Sequence, residues 1–251
     1  MPDLNDTVLT SFKDWTLRVR ESTQRFDGAQ GATQHEPSPR LLLHIHGLTG
    51  DENSMWVFAR DMPPHYWMVA PRAPHTAEME QGGYSWIPPQ FKRSSPVGDD
   101  NPNQPNLDLL RSSAEALLNL VDEYSASVGA EREARTFDVM GFSQGAAMSS
   151  LLAFLYPQRI RKVGILAGFV PAGLDGLVVS QRPLEGKSFF VAHGTKDERV
   201  SIDLARSSIE TLERAGAQVT YCEDNVGHKV SVNCLRALKK FFTDQRSSPV
   251  D

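Results

Sequence analysis

The chain has 251 residues, 40% of them hydrophobic, and its 31 acidic against 26 basic side chains leave a formal charge of −5. That is enough apolar material for a substantial core, and α/β chains of this length often fold as one unit, so one domain over residues 1–251 is expected. No cluster of Lys and Arg offers a footprint for nucleic acid or an anionic membrane, and no stretch nears the ~18 consecutive apolar residues of a spanning helix.

The opening MPDLNDTVLTSFKDW has neither the basic nor the apolar region of a secretory leader. At 15–20, WTLRVR alternates apolar and polar residues, the pattern of a strand with one buried face, expected antiparallel at a sheet edge. LLLHIH at 41–46 and WMVA at 67–70 are short apolar runs stopped by Gly47 and Pro71, which suits strands covered on both faces. Between them, residues 52–61 can form a short helix before Pro63 and Pro64. Residues 75–106, containing PP, GG, SSP and DDNPNQPN, are the least regular stretch. They follow a strand end, where substrate loops of α/β folds collect, and so long a connection in a compact domain is usually functional or mobile. Helical spacing resumes through Leu109, Leu110, Ala114, Leu117, Leu118, Val121 and Tyr124, giving a helix over 107–128 that ends at Gly129. Strands follow at 137–140, 163–166, 188–192 and 218–222, and helices at 146–156, 202–214 and 230–244. This alternation predicts a mostly parallel central sheet with helices on both faces, an α/β fold. The two cysteines, Cys222 in the last strand and Cys234 in the last helix, make neither a disulfide framework nor a zinc motif. Reduced thiols in a soluble cytoplasmic protein are expected.

The chemistry concentrates at VMGFSQGAAM, residues 139–148. Ser143 stands between a strand and a helix in G-x-S-x-G spacing. Gly141 and Gly145 remove side chains where the two elements converge, and the helix N-terminus favours developing negative charge. A serine hydroxyl is a weak nucleophile until a base takes its proton. Only His193 and His228 follow Ser143, and the chain order nucleophile, acid, base favours His228, in NVGHKV after the last strand. The acid belongs on a loop after an earlier strand, which suits Asp197 in HGTKDERV, with Asp175 as runner-up. Asp224 shares a loop with His228 and reads as a surface turn residue. Oxyanion donors are expected from the backbone N–H groups of Gln144, next after the nucleophile, and of Leu48, in HGLTGDE.

In this order, HGLTGD, PRAP, GGYSW, GFSQGAAM, LAGFVP, HGTKDERV and GH resemble the phospholipase/carboxylesterase family of α/β-hydrolases, which includes acyl-protein thioesterases and bacterial carboxylesterases. The resemblance runs through most of the chain, from Leu41 to Phe242. It implies the α/β-hydrolase fold and, position by position, Ser143 as nucleophile, Asp197 as acid, His228 as base and Leu48 and Gln144 as oxyanion donors. The chain departs from the family pattern at four places. Ala146 replaces the last glycine of GFSQGG, and Thr49 and Gly50 lengthen the HGLGD turn by one residue. Glu198-Arg199-Val200 stands where a proline-valine pair is common, and residues 90–106 are extended.

Tyr84 and Trp86 are candidates for the apolar wall of a substrate pocket, against ordinary loop packing. His44 and His46 share a face of their strand, which could suggest a metal pair, but no further ligands accompany them. His46 reads as structural beside the oxyanion loop, and neither metal nor cofactor is expected. His193 reads as support for the Asp197 loop, or as an alternative partner of Asp175. Phe12, Trp15, Leu17, Phe154 and Leu155 read as packing residues. The leading expectation is a cofactor-free serine hydrolase that cleaves small to medium carboxylic esters or thioesters through an acyl-enzyme. A peptidase or amidase on the same scaffold stays open. So does a hydrolase fold that binds a small ligand without turnover, although a complete set of Ser143, Asp197 and His228 speaks against it. The expected partner is a small-molecule substrate; self-association is not readable.

Overall fold

The computed structural model describes residues 4–23, 39–60, 62–88, 107–174 and 182–244. Eight strands form one sheet: β1 (Val8–Phe12), β2 (Trp15–Arg20), β3 (Arg40–Ile45), β4 (Tyr66–Pro71), β7 (Phe137–Phe142), β8 (Ile160–Leu166), β9 (Ser188–Gly194) and β10 (Gln218–Asp224). Their order is β1-β2-β4-β3-β7-β8-β9-β10. Everything from β4 to β10 is parallel, whereas β1 and β2 run antiparallel to their neighbours. A separate hairpin joins β5 (His75–Thr76) to β6 (Tyr84–Ser85).

The inner parallel strands, β3, β4, β7, β8 and β9, are buried on both faces, which is why they read as apolar runs, whereas the edge strand β10 stays partly exposed; Leu41, Leu42, Leu43 and Ile45 have essentially no exposed surface. One face packs against α2 (Leu107–Ser127), α4 (Gln144–Leu155) and α5 (Ile202–Arg214), and the other against α1 (Trp56–Ala59) and α6 (Val232–Thr243). Helix α4 is buried from Gln144 to Phe154. Its serines are tolerated there because Ser149 and Ser150 each donate back to the carbonyls of Gly145 and Ala146 at 3.0 Å. Ser201 and Ser231 cap α5 and α6 by accepting from the N–H groups of Leu204 and Cys234. Among the described residues no helix is long and apolar enough to cross a membrane.

The structure corrects four expectations. The WTLRVR strand is antiparallel, but β1 covers its outer side and takes the sheet edge itself. The helix expected at 52–61 contracts to Trp56–Ala59, because Asp51 accepts from the Asn53 N–H and the Ser54 hydroxyl and so closes a turn first. Strand β8 begins at Ile160, ahead of its apolar run, and a short helix α3 (Glu131–Ala134) precedes β7. Cys222 and Cys234 form a disulfide rather than free thiols, since α6 folds back beside β10 and brings their Cα atoms to 5.7 Å. Asp175 and residues 89–106 lie outside the described residues.

Near the start of β7, Asp138 is wholly buried and fully engaged. It accepts from the Tyr66 hydroxyl at 2.6 Å, the Lys162 N–H at 3.0 Å and the Arg161 guanidinium through both Nε and Nη2. The buried Lys162 ammonium donates to the carbonyls of Phe241 and Asp244 at 2.7 and 2.5 Å. Burial pushes it down to about 8, although Asp138 pulls the other way.

Candidate active site

At the other end of β7 the chain leaves the strand through Ser143, at φ 54° and ψ −116°, and enters α4 at once. This is a sparsely populated conformation for a residue with a side chain, held here by its surroundings. The Ser143 N–H donates to the Leu166 carbonyl at 2.9 Å, and the Ser143 carbonyl accepts from Ala146 and Ala147 at 3.0 and 3.2 Å. The flanking glycines are dictated by close backbone approach. A Cβ on Gly141 would collide with the Gly145 carbonyl, and one on Gly145 with the Ile45 carbonyl.

The loop after β3 closes over this turn. Gly47 comes so near that a Cβ there would lie 3.3 Å from Ser143 Cβ. The longer HGLTGD turn is absorbed by pairing with the β5–β6 hairpin. The Thr49 N–H donates to the Tyr84 carbonyl at 2.9 Å, the Tyr84 N–H to the Gly50 carbonyl at 3.1 Å, and Thr49 takes a left-handed φ of 67°. Among the described residues the Leu48 N–H has no backbone acceptor. Gln144 is the first residue of α4, where a helix supplies its N–H with none.

A buried scaffold fixes this loop. His46 accepts the Ala73 N–H on Nε2 at 3.0 Å and donates from Nδ1 to the Gly47 carbonyl at 2.7 Å. Burial keeps its ring neutral by lowering its pKa, and with both nitrogens engaged it has no lone pair to offer a metal. His44 lies against Trp56, their rings stacked 5.7 Å apart. Trp86 donates its indole N–H to the His46 carbonyl at 2.8 Å and its backbone N–H to Gln144 Oε1 at 2.9 Å, and its carbonyl accepts from Ser113 at 2.6 Å. Trp86 is 0% exposed. It therefore ties the loop after β3 to α2 and α4, which corrects its reading as a pocket wall. Tyr84 is half-buried, with the Arg72 guanidinium 4.7 Å over its ring. Arg72 grips the buried Glu52 with two bonds of 2.7 and 2.9 Å. Burial raises the Glu52 carboxyl, but the Arg72 bonds hold it below its ordinary range. The Glu52–Arg72 pair was not foreseen; its one sequence signal, PRAP, entered only as part of a resemblance.

On the far side, Asp197 follows β9 with its side chain fully buried. Its Oδ1 accepts the N–H groups of Arg199 and Val200 at 2.9 and 3.0 Å, and its Oδ2 accepts His228 Nδ1–H at 2.7 Å. His228 hangs from the loop between β10 and α6, with 13% of its side chain exposed. The ring of Phe142, the residue before Ser143, lies 5.0 Å from the His228 ring, and Phe58 stacks behind Phe142 at 5.8 Å. This apolar pair also went unforeseen. Among the described residues no hydrogen bond yet joins Ser143 Oγ to His228 Nε2, a contact that commonly tightens only around substrate. Asp224 serves its own turn, accepting from the Asn225 N–H and the Asn233 amide.

A parallel sheet covered by helices, a serine on a strained strand-to-helix turn and an Asp–His pair on later loops define an α/β-hydrolase. Residues 29–245 match the model of the phospholipase/carboxylesterase family, and the chain belongs to that family, whose members are hydrolytic enzymes. Acyl-protein thioesterase 1 of Debaryomyces hansenii is 24% identical over 235 residues, 88% of this chain and 98% of that protein. Carboxylesterase SOBER1 of Arabidopsis thaliana is 27% identical over 107 residues, so the match spans 41% of this chain and 46% of that protein. Among solved structures, a carboxylesterase from Mesorhizobium loti has a TM-score of 0.70 at 20% identity, covering 95% of this chain and 99% of that one. The Bacillus cereus carboxylesterase has 0.68 at 21%, covering 91% and 93%.

Proposed function

We propose that this chain is a single-domain serine esterase that cleaves carboxylic esters and thioesters of small to medium acyl groups through an acyl-enzyme. The observation that carries this reading is the 2.7 Å bond from His228 to Asp197, on an imidazole packed against the residue that precedes Ser143. Ser143 attacks the acyl carbon while His228 Nε2 takes its proton and passes it to the leaving alcohol or thiol. Asp197 holds the imidazole in the tautomer that leaves Nε2 free and stabilises the imidazolium that forms. The N–H groups of Leu48 and Gln144 receive the tetrahedral oxyanion. Water, activated by the same histidine, then releases the acid. Tyr84, partly exposed beside the oxyanion loop, stays in the reading as a wall of the substrate pocket.

The test is hydrolysis of p-nitrophenyl esters from acetate to dodecanoate by wild type and Ser143→Ala. Loss of turnover in a folded variant supports the nucleophile, and the chain-length optimum reports the apolar pocket. Retained turnover sinks the assignment. The Cys222–Cys234 bridge favours an oxidising compartment over the cytoplasm expected from the sequence. Thiol titration of the unreduced, unfolded protein should find no free thiol; two would restore the cytoplasmic reading.

A further inference from the structure

Asp197 lies between two imidazoles. On one side is His228; on the other is His193, from β9, which is 2% exposed and has its Nε2 3.4 Å from the same carboxylate oxygen, Oδ2. His193 Nε2 also meets the Val200 carbonyl at 2.9 Å. A carbonyl can only accept, so Nε2 carries the ring proton and Nδ1 is left as a bare lone pair. That Nδ1 is buried without a protein partner. An unpaired buried acceptor is a cost that phenylalanine or leucine would avoid while filling the same space. What those residues could not supply is the N–H edge. It closes a ring of contacts around the acid: His193 donates to the Val200 carbonyl, the Val200 N–H donates to Asp197 Oδ1 at 3.0 Å, and Asp197 Oδ2 faces Nε2 again.

We propose that His193 is a positioning residue for the hydrolytic reaction. By fixing the Val200 peptide and flanking Oδ2, it confines the Asp197 carboxylate to the one orientation that meets His228 Nδ1. The proposal rests on the assignment of Asp197 and His228 as acid and base.

Three variants test it on p-nitrophenyl butyrate: His193→Gln, whose amide nitrogen reaches the Nε2 position, His193→Asn, whose amide reaches only Nδ1, and His193→Leu. The low-field proton resonance of the Asp197–His228 hydrogen bond is recorded beside the kinetics. In Asn and Leu, kcat should fall about tenfold or more with KM unchanged, and the resonance should shift or broaden. In Gln most of the rate should return. Lost packing alone does not produce a kcat effect that follows the donor. Wild-type kcat in Asn and Leu, or equal loss in all three, overturns the proposal. Where Leu fails to fold, the Gln–Asn difference decides. His228→Ala and Ser143→Ala run alongside separate two failures. If they keep turnover, the acid–base reading falls and takes this proposal with it; if they are dead while the His193 variants are unaffected, only the positioning role falls.

Discussion

The two ends of β7 handle buried polarity in opposite ways. Near its start Asp138 is surrounded by donors from Tyr66, Arg161 and Lys162. Just past its end Ser143 is held at a strained φ, the Leu48 N–H lacks a backbone acceptor, and His193 Nδ1 has no partner. Asp138 is wholly buried, Ser143 and Leu48 only partly so, yet His193 on β9 is nearly as buried as Asp138 and still has an unpaired nitrogen, so burial alone does not explain the difference. The Asp138 cluster is satisfied within the fold, whereas the groups around the proposed nucleophile are held in place by the surrounding packing.

The largest effect that would sharpen this contrast is on Ser143 itself. Ser143→Gly should abolish ester hydrolysis, by ~10³-fold or more. It should nevertheless stabilise the protein by roughly 0.5–1 kcal/mol, because glycine accepts φ 54° without strain. Activity assays paired with urea melts check both halves; a destabilised variant would break the contrast. At the other end, Asp138→Asn removes the buried carboxylate that pairs with the Arg161 guanidinium and should cost about 3–5 kcal/mol in the same melts. The kcat of the protein that remains folded should hold. The smallest effect concerns His44, a wholly buried imidazole that stacks on Trp56. Burial holds it at about 3, below its ordinary 6.5, so the unfolded chain binds the proton more tightly. Its contribution to stability is complete above that ordinary value and is lost as pH falls toward 3, by at most ~1.4 kcal/mol per pH unit. His44→Phe should therefore flatten the acid limb of the Tm profile without changing kcat, unlike the His193 variants. An unchanged limb would show that this imidazole does not set acid sensitivity.

How much of this was legible follows from the range over which each feature is determined. The parallel strands could be read because burial on both faces leaves runs such as LLLHI, and the Ser143 turn because its strand, glycines and helix are contiguous. The order of Asp197 and His228 could be read because strand succession sets which loops reach one sheet end. Strand β1 was missed because an edge strand can leave Val8 and Leu9 open to solvent, 63% and 52% exposed, and so shows no buried face. Trp86 was misjudged because its residue type suits a pocket, whereas its direction is set by the distant His46 carbonyl. The Cys222–Cys234 bridge depends on how α6 packs on β10, and the Glu52–Arg72 pair on two loops meeting; spacing carries neither.

The proposed base also comes late. His228 hangs from the loop after β10, at the sheet edge opposite β1, whereas the Ser143 turn belongs to the middle of the sheet. A ribosome delivers Ser143 well before the strand that brings His228. On the proposed assignment a partly synthesised chain has no proton acceptor for its serine, and esterolysis waits until the last strand docks.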